Sequence, residues 1–289
     1  MVNKPHKPCP APVERLREAR AFVFDVDGTL VLGDRHNSAL KPLPGVIEFL
    51  ELLRARKIPF ALLTNGTVRT HEQYVVELRH AGLPVADGTM ITPSSVAADY
   101  FSRRKIKRVR VLGVEGVWQP LEAAGIDVVR APDDDPVDAV FVGWYREFRM
   151  DEIDAACKAV AAGAKLFTGS LAPYFASAQG KVLSSSRVIC AAIASVTGKR
   201  ASVLGKPSAA ALRCACRSIG VKPKDIVVVG DDPGLEVLMA RRGGALGVAV
   251  RTGVWGQGDV AHLPAEHRPH LVVQGVAELL SLFDRRAAQ

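Results

Sequence analysis

The sequence predicts an α/β protein built on a doubly wound, mainly parallel sheet, and three observations carry that expectation. Short apolar runs at 21–26, 60–63 and 226–229 are rich in branched and aromatic residues, as buried strands are. Segments whose apolar residues recur at helical spacing lie between them and after them. Each of the three runs ends in a polar motif, which is where ligands bind in such sheets.

Taken in order, residues 21–26 form the first predicted strand. A helix over 46–55 follows from Val46, Phe49, Leu50 and Leu53, with Pro44 just ahead of it. Residues 60–63 predict a second buried strand, and 70–81 a helix that stops at Gly82. Weaker strands are expected at 90–92, 109–113, 127–130, 139–142 and 166–168. Helices are expected at 94–101, 117–124, 151–162 and 188–196, the last closed by Gly198. Asp133-Asp134-Asp135-Pro136 is a turn signal, not a metal cluster. Strong signals return at 202–204, at a helix over 209–219 and at the strand 226–229. A helix at 235–242, a strand at 245–250 and a last helix at 276–283 complete the series.

With 289 residues, the chain is long enough for one large or two ordinary domains. Hydrophobic residues make up 48% and charged residues 24%, the balance of a globular protein. No apolar run approaches the roughly 18 residues of a membrane span, so no membrane partner is expected. Lys4, Lys7, Pro5, Pro8 and Pro10 are followed by no apolar stretch, so residues 1–18 read as a flexible leader and not a secretory signal. Five cysteines, an odd number in a long chain, read as reduced thiols of a cytoplasmic protein. Cys214 and Cys216 stand two apart on a helix and point to different faces. The formal charge is +8. Its densest run, Arg103-Arg104-Lys105 with Lys107, Arg108 and Arg110, has no interleaved aromatics and no zinc spacing, so no nucleic-acid partner is expected. A field that attracts anionic substrates is the milder reading.

The motifs at the strand ends carry the chemistry. Asp25-Val26-Asp27-Gly28-Thr29 closes the first strand, Thr64-Asn65-Gly66 the second, and Gly230-Asp231-Asp232 the third; Lys206 stands between Gly205 and Pro207 before a helix. A carboxylate directly after an apolar strand is costly without a cation. Acidic residues converging at one sheet edge call for a metal, and Mg²⁺, which takes hard oxygen ligands and keeps several waters, fits. Thr64 can offer a hydroxyl and an N–H to a phosphate oxygen, and Lys206 a point charge. Taken singly, these motifs are ordinary turns and caps; their force lies in their order and in their placement at strand ends.

In this combination the sequence resembles the haloacid-dehalogenase (HAD) superfamily of phosphohydrolases, over roughly residues 20–285. Asp25 to Thr29 matches the first motif, Thr64 the second, Lys206 the third and Gly230-Asp231-Asp232 the fourth. Leu63-Thr64-Asn65, Gly205-Lys206-Pro207-Ser208 and the long insertion between the second and third motifs resemble the class IIA branch, the NagD-like and p-nitrophenylphosphatase-like proteins. The resemblance implies a Rossmann-like core at 19–87 and 201–289, with an α/β cap domain inserted at 88–200. It implies Asp25 as nucleophile and Asp27 as general acid and base. Thr64, Asn65 and Lys206 would bind phosphate, and Asp25, Asp27 and Asp231 would hold Mg²⁺. The implied reaction is hydrolysis of a small phosphorylated metabolite, of the sugar phosphate, glycerol phosphate or nucleotide class, through an aspartyl-phosphate; the alternatives are a phosphotransferase or mutase on the same site, or a non-catalytic phosphate-ligand-binding protein on this scaffold. A homodimer through the cap is also implied. Dehalogenase members lack the second aspartate, so Asp27 favours phosphate chemistry. Glu236 stands where relatives usually carry an aspartate, leaving Asp232 or Glu236 to assist Asp231. Thr168-Gly169-Ser170-Leu171 replaces the usual Asn-bearing cap segment. Trp144, Tyr145, Arg146, Tyr174 and Arg187 are the candidate readers of the substrate. For the aromatics, packing is the alternative role; for the arginines, solvation is. His36 and His71 read as surface residues.

Overall fold

The computed structural model describes residues 11–33, 40–177 and 180–284. Six strands form one all-parallel sheet, in the order Leu271–Val273, Leu246–Val250, Ile226–Gly230, Ala21–Phe24, Phe60–Leu63, Met90–Ile91. Ala21–Phe24 is central and buried along its whole length, as a strand covered by helices on both faces must be. Its neighbours lie on either side of it although they are separated by more than half the chain, so this is the point where the strand order reverses. Register sets the site: Phe24 is level with Val229 on one side and Leu62 on the other. Asp25, Gly230-Asp231 and Thr64 therefore leave the sheet at the same carboxyl edge.

Two cores flank this sheet. On one face Phe22 stacks on Phe24 at 5.5 Å, and Phe49 and Phe283 meet Phe22 edge-on. On the other, Val23, Leu63, Val228, Ala211 and Ala215 share a cluster with Phe101, Phe141 and Phe167. That second cluster runs without a break into a five-stranded parallel sheet, ordered Ser202–Val203, Lys165–Thr168, Ala139–Val142, Arg108–Leu112, Asp127–Val129. A third cluster, with Val140, Val142, Ile153, Ile189 and Ile193, covers the outer face of that sheet under helices Met150–Ala161 and Ser185–Thr197.

Several expectations need adjustment. Helix Pro12–Arg17 is ordered, with Leu16 fully buried and Arg17 Nε donating to the Leu282 carbonyl at 3.0 Å, so residues 12–17 are not a flexible leader. Residues 1–10, Cys9 and His36 lie outside the described residues. Met90–Ile91 pairs with Leu62 and Leu63, so it completes the first sheet although the insertion was expected to begin at 88. Ser202–Val203 pairs with Phe167 and Thr168 and so belongs to the second sheet. The expected helix at 235–242 opens instead as a π-turn, Pro233–Val237, before helix Leu238–Gly243. At its start Asp232 accepts from the Gly234 N–H at 2.8 Å, and Glu236 within it is buried.

Most of the arginines of the basic run are engaged by partners within the chain, although the run is largely exposed. Arg103 pairs with Asp99, Arg104 lies over the Tyr100 ring, and Arg108 reaches Asp127 and Asp135. Arg110 is buried and held by Asp133 at 2.7 Å. Segment 133–135, expected as a turn, is irregular chain that forms ion pairs, with Asp134 on Lys158. Cys157, Cys190, Cys214 and Cys216 are free thiols. Among the described residues no helix is long and apolar enough to cross a membrane.

Candidate active site

The carboxyl edge of the first sheet opens into a cavity of about 440 Å³, lined by Asp25, Asp27, Thr64, Asn65, Lys206 and Asp231 among others. Every candidate site residue therefore lines the same cavity. A shallower depression of about 410 Å³ lies beside the opposite end of strand Phe60–Leu63 and holds none of the motif residues.

Asp25 is buried, and its backbone N–H continues the ladder to the Val229 carbonyl at 2.9 Å. One carboxylate oxygen accepts from the Thr29 hydroxyl at 2.9 Å and the other pairs with the Lys206 ammonium. Lys206 is buried too and meets a second carboxylate, Glu236, at 2.6 Å. Burial works against the charge on Lys206, but Asp25 and Glu236 outweigh it and raise the ammonium above its ordinary value. Lys206 is aimed by Asn65: the Asn65 side chain accepts from the Lys206 N–H at 2.7 Å and donates to the Lys206 carbonyl at 3.1 Å. Thr64 is buried, accepts from the Gly66 N–H at 2.9 Å, and lies 3.4 Å from the Asp27 carboxylate.

Asp231 sits in a cradle made by two glycines. A Cβ on Gly28, whose φ is +86°, would come 2.5 Å from the Asp231 carboxylate, and one on Gly253 would overlap it. The Val254 N–H donates to that carboxylate at 2.6 Å. Burial pushes the Asp231 carboxyl well above the ordinary range, and the charges of Asp25 and Glu236 push it further. Glu236 is raised by burial as well, against the pull of Lys206. Three buried carboxylates, Asp25, Asp231 and Glu236, thus face one buried ammonium, an excess of two negative charges when all are ionised. A divalent cation balances that excess, and a hard-oxygen donor set suits Mg²⁺. Among the described residues no three His, Cys, Asp or Glu side chains form a ready-made metal cage. A Mg²⁺ ion does not need one, because it keeps several waters and is satisfied by one or two carboxylates.

Glu236 and Asp232 now separate. Glu236 reaches Lys206, whereas Asp232 is engaged with the Gly234 N–H. Of the candidate readers, Trp144, Arg146 and Tyr174 line the cavity. Tyr145 turns away to Glu152, its hydroxyl donating at 2.7 Å, and Arg187 reaches the Leu171 carbonyl. His71 lies beside Glu72. The segment 252–254, which wraps Asp231, carried no expectation, and Thr29 stood in the first motif without a role of its own. The signal for the former was available, since this segment follows the carboxyl end of strand Leu246–Val250, where the binding-edge rule points.

Residues 22–127 match the haloacid dehalogenase-like hydrolase family, and residues 203–279 match a HAD-hydrolase-like family. The chain belongs to the haloacid dehalogenase-like hydrolases. Ribonucleotide monophosphatase NagD of Escherichia coli K12 is 28% identical over 260 residues, covering 89% of this chain and 96% of its own. The 4-nitrophenylphosphatase structure from Thermotoga maritima superposes with a TM-score of 0.84 at 25% identity, over 93% of this chain and 99% of that one. A glycerol phosphate phosphatase from Mycobacterium tuberculosis, solved in complex with magnesium, shares the fold with a TM-score of 0.81 at 24% identity, over 92% of this chain and 77% of that one. The hydrolase thus groups with NagD-like and p-nitrophenylphosphatase-like proteins. The class these names share, hydrolysis of phosphate monoesters, is the class of this enzyme.

Proposed function

We propose that this chain is a Mg²⁺-dependent phosphatase that hydrolyses the phosphate monoester of a small metabolite through an aspartyl-phosphate on Asp25. The observation that carries this reading is the setting of Asp25. Its carboxylate lies at the carboxyl end of the central strand, is held by Thr29 and Lys206, and faces the cavity.

In the first step a carboxylate oxygen of Asp25 attacks phosphorus, and the bond from phosphorus to the leaving oxygen breaks. Asp27 gives its proton to that oxygen. Thr64, the Asn65 backbone and Lys206 bind the phosphoryl oxygens, so negative charge meets donors as it approaches Asp25. In the second step Asp27 takes a proton from water, and the water oxygen attacks phosphorus. The bond to Asp25 then breaks, releasing inorganic phosphate and restoring the carboxylate. Asp25, Asp231 and the Asp27 carbonyl would hold Mg²⁺, which offsets the charge of a phosphate meeting a carboxylate. The second sheet with its helices acts as the cap that covers the cavity and excludes water during these steps.

The test is phosphate release from p-nitrophenyl phosphate, with and without Mg²⁺, for wild type and Asp25→Asn. Asparagine keeps the shape and removes the nucleophile. Turnover should require Mg²⁺ and fall by about 10³-fold or more in the variant. Mg²⁺-dependent turnover that survives the substitution would rule out the covalent route.

A further inference from the structure

The structure assigns Arg146 as the reader of a second anionic group on the substrate, carried by an apolar, ring-sized leaving group; this deepens, and rests on, the phosphatase reading above. The cavity of about 440 Å³ lies within the range of about 300–1,000 Å³ that buries organic ligands, and a phosphate alone would leave much of it unfilled. Beyond the phosphate-binding residues its wall is apolar, with Val68, Trp144, Tyr174, Val182, Leu235 and Val254. Val68, Tyr174 and Val254 are 41%, 50% and 58% exposed, yet they come from three distant segments and meet around one opening. Apolar groups gathered in this way mark a surface that a ligand covers.

Two arginines also line the cavity. Arg69 is already committed: it lies 2.5 Å from Glu77 and over the Tyr74 ring. Arg146 is exposed, and among the described residues it forms no ion pair. Its placement is built. The Trp144 N–H donates to the Thr67 hydroxyl at 2.8 Å, and the Tyr145 N–H to the Ser185 hydroxyl at 3.0 Å. These bonds pin the segment on both sides. Side chains alternate along it, with Trp144 and Arg146 on the cavity and Tyr145 turned to Glu152. An uncommitted guanidinium beside apolar walls suits a carboxylate or a second phosphate, which it can grip with two parallel hydrogen bonds.

The experiment compares 4-carboxyphenyl phosphate with its neutral isostere, 4-carbamoylphenyl phosphate, in Mg²⁺. Wild type should favour the carboxylate ester by about tenfold or more in kcat/KM, the scale of a charged hydrogen bond. Arg146→Gln should abolish that preference, raising KM for the carboxylate ester by about tenfold or more while the carbamoyl ester changes far less. Lys224→Gln, an exposed cation at the opposite end of strand Ile226–Gly230, should keep the preference. Equal use of both esters by wild type would overturn the assignment. So would an Arg146→Gln loss that falls on both alike, or a preference that Lys224→Gln also erases. Wild type that hydrolyses p-nitrophenyl phosphate but neither ester would overturn the assignment alone, whereas wild type that hydrolyses none of the three would sink the phosphatase reading and the assignment with it.

Discussion

At the scale of single residues, each oxygen of Asp25 has one protein partner, Thr29 on one side and Lys206 on the other. A side chain held at both oxygens keeps one orientation, so on the proposed mechanism little reorganisation would separate the resting carboxylate from attack. Asp231 depends on an absence: Gly28 and Gly253 leave the space its carboxylate fills. Gly28→Ala would place a methyl group 2.5 Å from that carboxylate, at a φ of +86° that costs a side-chain-bearing residue about 1–2 kcal/mol. Mg²⁺ titration of the activity should show an apparent affinity weakened by about 10- to 100-fold. A variant with unchanged Mg²⁺ dependence would contradict this account of the cradle. The acidic and basic members of the site were legible in the sequence because each stands at the end of an apolar strand or beside a helix start. The role of Glu236 was half legible: its charge was plain, but only the π-turn reveals that it faces Lys206 and not solvent.

At the scale of elements, long apolar runs and helical spacing located the central strands and most helices to within a few residues. The misses are short or lack a core face of their own. Among the described residues, Val31–Leu32 and Lys41–Pro42 form a two-stranded pair, apart from one bridge from Val31 to Asp27, and Tyr174–Ser177 forms another with Gly180–Leu183. Leu271–Val273 is a three-residue edge strand. Hairpins and edges of this length are stabilised by what they pair with, which periodicity does not record. Helix Pro12–Arg17 was missed for the same reason, since a single residue, Leu16, anchors it. Leu16→Ala should therefore lower stability by about 2–4 kcal/mol, read from denaturant unfolding. KM for p-nitrophenyl phosphate should not move, because Leu16 packs with Phe22, Phe49 and Phe283 on the face of the sheet away from the second sheet.

At the scale of the whole molecule, the excess negative charge of the site couples folding to pH and metal. Asp231 and Glu236 both have their carboxyls raised in the folded state. A raised acid keeps its proton where the unfolded chain has released it. Its contribution is therefore present below about pH 4, the unfolded value, and is lost as pH rises through the folded one. Metal-free protein should lose thermal stability as pH climbs from about 5 into the alkaline range. Mg²⁺ pairs with the ionised form, so the rise in Tm that it gives should be larger at about pH 8.5 than at about pH 5.5. Calorimetry in EDTA and in Mg²⁺ across that range checks this, and a rise independent of pH would refute it. The clasp between Asn65 and Lys206 has another consequence, one of timing. It joins residues 141 positions apart, and Asp25 waits across 181 positions for Lys206. A chain emerging from the ribosome presents Asp25 early, with neither the ammonium that pairs with it nor Asp231 yet made. On the mechanism proposed above, transfer of phosphate to Asp25 has to wait until Lys206 and Asp231 have been added and brought into place.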